Sequence, residues 1–129
     1  MMPLCLAAGA VTAVLAVQSF TLAWTHSIAK TRWEEDWRIE DRMLVIAEAH
    51  IRGSGAGMEP PADAVLRNGA WHYKPAVKPL SALRLSHSPY TAGYELCVDG
   101  QCAPLADHLP GLAETTTVAV YPCESGTAK

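Results

Sequence analysis

The sequence has no basic patch: its ten lysines and arginines are spread along the chain, and the net charge is −3. Nucleic-acid binding needs a clustered positive footprint, so that class is excluded. Phenylalanine is nearly absent, with one against four tryptophans and four tyrosines. The tryptophans, Trp24, Trp33, Trp37 and Trp71, are large rings with a polar handle, which suit half-buried sheet faces. No assembled nucleophile and base can be found. His26 and Ser27 are neighbours on one extended segment and point to opposite faces, which argues against a hydrolase trio with Glu35. A metal set drawn from His26, His50, Met58, His72, His87 and His108 shows no familiar ligand spacing. Neither an enzyme, a metal nor a cofactor is expected.

At 129 residues, half of them hydrophobic, the chain is long enough for one domain. Pro3 to Val17 is apolar apart from Thr12, too short to span a membrane unaided. Its length fits a signal-peptide core, and Val14-Leu15-Ala16 offers a cleavage site, although no lysine or arginine precedes the run. Residues 1–17 are therefore expected to be a signal peptide, or an uncleaved inner-membrane anchor that borrows residues through Trp24. The expected location is the periplasm, free or anchored. Cys5 precedes the run, which argues against a lipoprotein anchor. Residues 18–123 form the expected β domain, and 124–129 a disordered tail.

Period-two alternation puts Phe20, Leu22, Trp24 and His26 on one face of a first strand. It puts Trp33, Glu35, Trp37 and Ile39 on one face of a second, with Glu34, Asp36 and Arg38 on the other. A tight hairpin centred on Lys30-Thr31 would set His26 opposite Glu35, Trp24 opposite Trp37 and Leu22 opposite Ile39. The His26–Glu35 pair then reads either as a satisfied structural pair or as a polar site in an apolar wall. Met43 to Ile51 is a third strand, its β-branched residues outweighing its helix formers.

Gly53-Ser54-Gly55-Ala56-Gly57-Met58-Glu59-Pro60-Pro61 cannot be the interior of a strand or helix. It is a shaped loop, either a structural connection or a set of backbone amides turned toward an anion. Asn68-Gly69 marks a hairpin with Leu66 opposite Trp71. Leu80 to Leu85 and Thr115 to Tyr121 are further strands. Asp99-Gly100 marks another hairpin, in which Val98 and Gln101 flank the turn and Cys97 faces Cys102 within disulfide reach. Cys123 is then left free, linked to another chain, or the true partner of Cys97 or Cys102. These segments predict an antiparallel all-β sandwich or partly closed barrel of seven to eight short strands.

Trp24-Thr-His-Ser27 with Trp33-Glu-Glu-Asp-Trp37, the Gly53 to Pro61 run, and Leu96-Cys97 with Cys102 occur in this order in one family. From Phe20 to Cys123 the chain resembles the bacterial domain-of-unknown-function family numbered eighteen-fifty. That family comprises small exported or membrane-attached proteins without an established activity. Their genes often sit beside those of TAXI-type TRAP transporters, which import small organic anions. The resemblance implies a non-enzymatic accessory whose partners are the transporter's membrane or binding subunits. It marks His26, Ser27, Glu35, Gly53, Ser54, Gly55, Gly57 and Met58 as the positions for ligand or partner binding. A periplasmic anion-binding module using loop 53–58 is the alternative.

Overall fold

The computed structural model describes residues 2–25, 31–52, 62–90 and 93–124. Three local signals organise the larger of its two sheets. Asp41-Arg42, Asn68-Gly69 and Asp99-Gly100 each take positive φ at both central positions, between 50° and 79°. These mirror-image turns match the twist of the strands they join. They connect β4 (Arg32–Glu40) to β5 (Met43–Arg52), β6 (Val65–Arg67) to β7 (Ala70–Tyr73), and β9 (Glu95–Val98) to β10 (Gln101–Pro104). With β3 (Ser19–Thr25) they build a seven-stranded antiparallel sheet in the order β10-β9-β3-β4-β5-β7-β6.

The second sheet has four strands in the order β2-β1-β11-β8. They are β1 (Leu4–Ala8), β2 (Val11–Leu15), β8 (Leu83–His87) and β11 (Thr116–Pro122). The inner faces of both sheets meet in one core. Leu4, Leu6, Leu85, Val118 and Val120 come from the small sheet, and Phe20, Leu22, Trp37, Ile46 and Leu96 from the large one. Leu105, in the four-residue helix α1 (Leu105–His108), and Leu109 just beyond it complete the core. Each fully buried leucine contributes about 2–3 kcal/mol. The fold is all-β and open rather than closed into a barrel. Eleven strands are found among the described residues, more than the seven to eight expected.

Two of the additional strands lie at the N-terminus. The segment expected as a signal peptide or anchor forms β1 and β2, joined through Gly9 at φ 61°. Leu4 and Leu6 are fully buried, and β1 pairs with β11 in the register Cys5↔Tyr121, Leu6↔Val120. A continuous apolar run has no internal period to distinguish a strand hairpin from a helical segment. Among the described residues, no helix is long and apolar enough to cross a membrane.

The expected β3–β4 register differs from the one observed. Trp24 pairs with Trp33, Leu22 with Glu35 and Phe20 with Trp37. The strands thus meet four residues away from the tight-hairpin register. A shift by an even number leaves every side chain on its expected face, so alternation alone does not separate the two registers. The stacked pair Trp24–Trp33, with centroids 6.1 Å apart and planes at 11°, accompanies the observed register.

The expected disulfide Cys97–Cys102 is present, its residues directly opposed as the Asp99-Gly100 turn requires. Cys123 is joined to Cys5, across 118 residues of sequence. In the chain-entropy account the long loop removes about 5 kcal/mol of unfolded-state freedom and the short one about 2. We expect non-reducing peptide mapping of the mature protein to recover a Cys5–Cys123 cross-linked peptide. The Cys5→Ser/Cys123→Ser variant should lose about 3–5 kcal/mol in urea unfolding. Recovery of Cys123 as a free thiol would refute the pairing.

Candidate functional site

Strand β5 changes parity midway. Leu44 and Ile46 point inward and are buried, as are Ala49 and Ile51, three and five residues beyond Ile46. The offset is a β-bulge: Asp36 pairs with Glu48 but Trp37 pairs with Ile46, leaving Ala47 as the extra residue. A bulge re-aims the side chains that follow it. Here it turns Glu48, His50 and Arg52 onto the outer face, beside Glu34, Asp36 and Arg38 of β4.

Strand pairing then assembles a polar surface. His50 lies directly opposite His72 of β7, with ring centroids 4.5 Å apart. His72 Nδ1 is 2.7 Å from Glu48 Oε1, and His50 Nε2 is 2.7 Å from Asp36 Oδ2 and 3.4 Å from Glu48 Oε1. Thr21 of β3 donates to Asp36 Oδ1 at 2.7 Å, which fixes that carboxylate. Arg67 Nη2 reaches Glu48 at 3.4 Å. One ligand-type atom from each of Glu48, His50 and His72 falls within a 4.8 Å cluster. Beside it runs an open trough of about 680 Å³, lined in part by Thr21, Glu34, Asp36, Arg38, His50 and Arg52.

Arginine pairs occupy the flanks of this face. Arg32 binds Glu34 and Glu95, both at 3.0 Å, and Arg38 pairs with Glu40. Arg52 lies 3.9 Å from Glu34. Such part-exposed pairs contribute little stability individually, but they hold long side chains in fixed positions.

Of the residues marked from the sequence, Glu35 is the one the structure describes. It faces inward as expected, but its partner across the ladder is Leu22, so the register does not make the expected His26–Glu35 pair. His26, Ser27, Gly53, Ser54, Gly55, Gly57 and Met58 lie outside the described residues. The histidines judged too scattered for a metal include two that the fold brings together, His50 and His72. Both of their strands were legible, but the β5–β7 pairing that unites them was not.

The Glu35 carboxyl is held above the ordinary carboxylate range by burial, an effect opposed by the Trp37 indole N–H, which donates to Oε1 at 3.1 Å. Burial and the Glu35 charge together push the Tyr73 hydroxyl upward. Below the ordinary glutamate value of 4.5, Glu35 is protonated in both folded and unfolded chains and exacts no penalty. As pH rises, the unfolded chain ionises first, so stability falls until the folded carboxyl has also ionised. Glu35→Gln keeps an acceptor for Trp37 and removes the charge. The variant should be more stable than the parent at pH 7, with the difference closing below pH 4.5. A variant less stable than the parent, with an unchanged pH slope, would show that the ionised carboxylate is itself required.

The outer-face cluster, the inward Glu35 and the Cys97–Cys102 hairpin all fall within the span of one family match. No curated protein and no solved structure matches the chain. The DUF1850 family, a domain of unknown function, matches residues 20–105, two thirds of the chain, from Phe20 in β3 to Leu105 at the start of α1. The chain therefore belongs to the DUF1850 family.

Proposed function

We propose that the protein is an exported, non-enzymatic accessory of a TAXI-type TRAP organic-anion uptake system, and that it meets its partner through the outer face of the seven-stranded sheet. The uptake context comes from the family resemblance. Two disulfides in 129 residues suit an oxidising compartment. The observation that carries the reading is the asymmetry of the two outer faces. On the small sheet that face presents Ala7, Thr12, Val14, Ser86, Thr117 and Ala119, with Arg84 its one charged side chain among the described strand residues. On the large sheet it presents Glu34, Asp36, Arg38, Glu48, His50 and Arg52 around an open trough. A pattern of mixed charge fixes register and speeds encounter between partners more than it adds raw affinity.

Affinity purification of the tagged, full-length protein from native membranes should recover the transporter's membrane or binding subunits. Arg38→Glu/Arg52→Glu, a change on the trough that leaves the core untouched, should reduce that recovery at least tenfold without lowering the melting temperature. If uptake and transporter assembly were unchanged on deleting the gene, the accessory role would be excluded. A saturable rise in melting temperature with an organic acid, and no recovered subunit, would shift the assignment to the anion-binding module of loop 53–58.

A further inference from the structure

We propose that Glu48, His50 and His72 form a binding site for a divalent transition-metal ion of the zinc type, with Asp36 beside its open coordination position. The site is independent of the uptake context and rests on the geometry of three adjacent strands.

Two imidazoles and a carboxylate are a donor set that suits Zn²⁺, which accepts nitrogen and oxygen ligands at about 2.0–2.2 Å. At that bond length the ligand atoms of a tetrahedral ion stand about 3.4 Å apart. His50 Nε2 and Glu48 Oε1 are already 3.4 Å apart, and His72 Nδ1 and Glu48 Oε1 are 2.7 Å apart. The latter contact is a hydrogen bond, in which a proton occupies the place an ion would take. Entry of the ion releases that proton and spreads the pair by less than 1 Å, within the reach of side-chain rotation. Asp36 Oδ2 sits 2.7 Å from the same His50 nitrogen, while Thr21 holds its other oxygen. It is therefore placed either to complete the coordination shell or to orient a water there.

The sheet supplies the preorganisation. His50 and His72 are a directly opposed ladder pair, and Glu48 lies two residues from His50 on the same face. Asp36 is the ladder partner of Glu48 across β4. The bulge at Ala47 is what sets Glu48 and His50 on this face. The imidazole side chains are only 18% and 15% exposed, so their lone pairs are sheltered while the cluster stays open on the carboxylate side. The charged groups facing the cluster are Asp36, Glu48 and Arg67, with Glu34 and Arg52 as the next pair along the face. Two carboxylates against one directly contacting guanidinium leave a net negative charge that attracts a cation.

The test uses the full chain, purified without an affinity tag and stripped with a chelator. Calorimetric titration with ZnCl₂ at pH 7.5 should show one ion per chain with a micromolar or tighter dissociation constant and a rise in melting temperature. Binding should weaken at acid pH, because imidazole must be neutral to ligate. His50→Gln and His72→Gln should each weaken binding at least tenfold while leaving the far-ultraviolet circular dichroism unchanged. Cobalt(II) loading reads the ligand set without a substitution: visible absorption of a low-coordinate N/O site is expected. Absence of saturable one-to-one binding would overturn the proposal. So would equal affinity in both folded variants, or a cobalt spectrum like that of the aqueous ion.

Discussion

The sandwich depends on the pairing of its first strand with its last. β1 lies between β2 and β11, so the small sheet exists as a four-stranded layer only while β1 is in place. Its inward residues Leu4 and Leu6 are completely buried among side chains of both sheets. Removing them would leave β11 and β8 as a two-stranded remnant, which is marginal by itself. It would also uncover the apolar inner face around Phe20, Leu22 and Ile46. The Cys5–Cys123 bond and the hydrogen bond from Cys123 N to Pro3 O, at 3.0 Å, close the outer end of this pairing. Two distant chain segments are thus tied together where the core needs them most.

The second constraint is parity on β5. Without the extra residue at Ala47, Glu48, His50 and Arg52 would point into the core while Ala49 and Ile51 faced water. Burying three such ionisable or polar groups unpaired would cost several kcal/mol apiece. The apolar residues therefore choose the bulge: Leu44 and Ile46 are in phase with each other, as are Ala49 and Ile51, and the two pairs are out of phase. The outer polar cluster follows from this packing requirement. Its ligand-type side chains stand on rigid strands, which is the better scaffold for holding a fixed geometry.

Local signals in the sequence were reliable guides to local structure. The paired turn residues at Asn68-Gly69 and Asp99-Gly100 specified their hairpins and the Cys97–Cys102 bond, because a two-residue turn dictates its register. Alternation assigned the faces of β3 and β4 correctly. It missed their register, since the shift between the expected and the observed pairing preserves every face. The N-terminal hairpin was hidden for a different reason. An apolar run of this length is ambiguous by composition, and the Gly9 turn inside it passed unread. Setting that run apart also set Cys5 apart, which left Cys123 without its partner. The His50–His72 juxtaposition requires knowing that β5 pairs with β7 across an intervening segment, a long-range contact that no local pattern encodes. The loop residues from Gly53 to Met58 were singled out by composition and lie outside the described residues.

Adjacent residues on β4 show how the two faces divide their chemistry. Glu34 points outward, where Arg32 at 3.0 Å and Arg52 at 3.9 Å balance its charge. Glu35 points inward, where the Trp37 indole N–H donates to it and burial disfavours ionisation. Across the outer face the balance of charge is uneven. On the Arg32 side, guanidinium groups meet the carboxylates of Glu34 and Glu95. On the Glu48 side, two carboxylates meet two imidazoles and one guanidinium, Arg67, which contacts Glu48 at 3.4 Å. Imidazole neutralises a carboxylate only by binding a proton, whereas arginine carries its charge permanently. The first half of the face is therefore already compensated, and a cation arriving there would have to break ion pairs. In the second half an arriving cation replaces hydrogen-bond protons and meets one ion pair, Glu48–Arg67 at 3.4 Å, and it is there that the bulge has set the histidines.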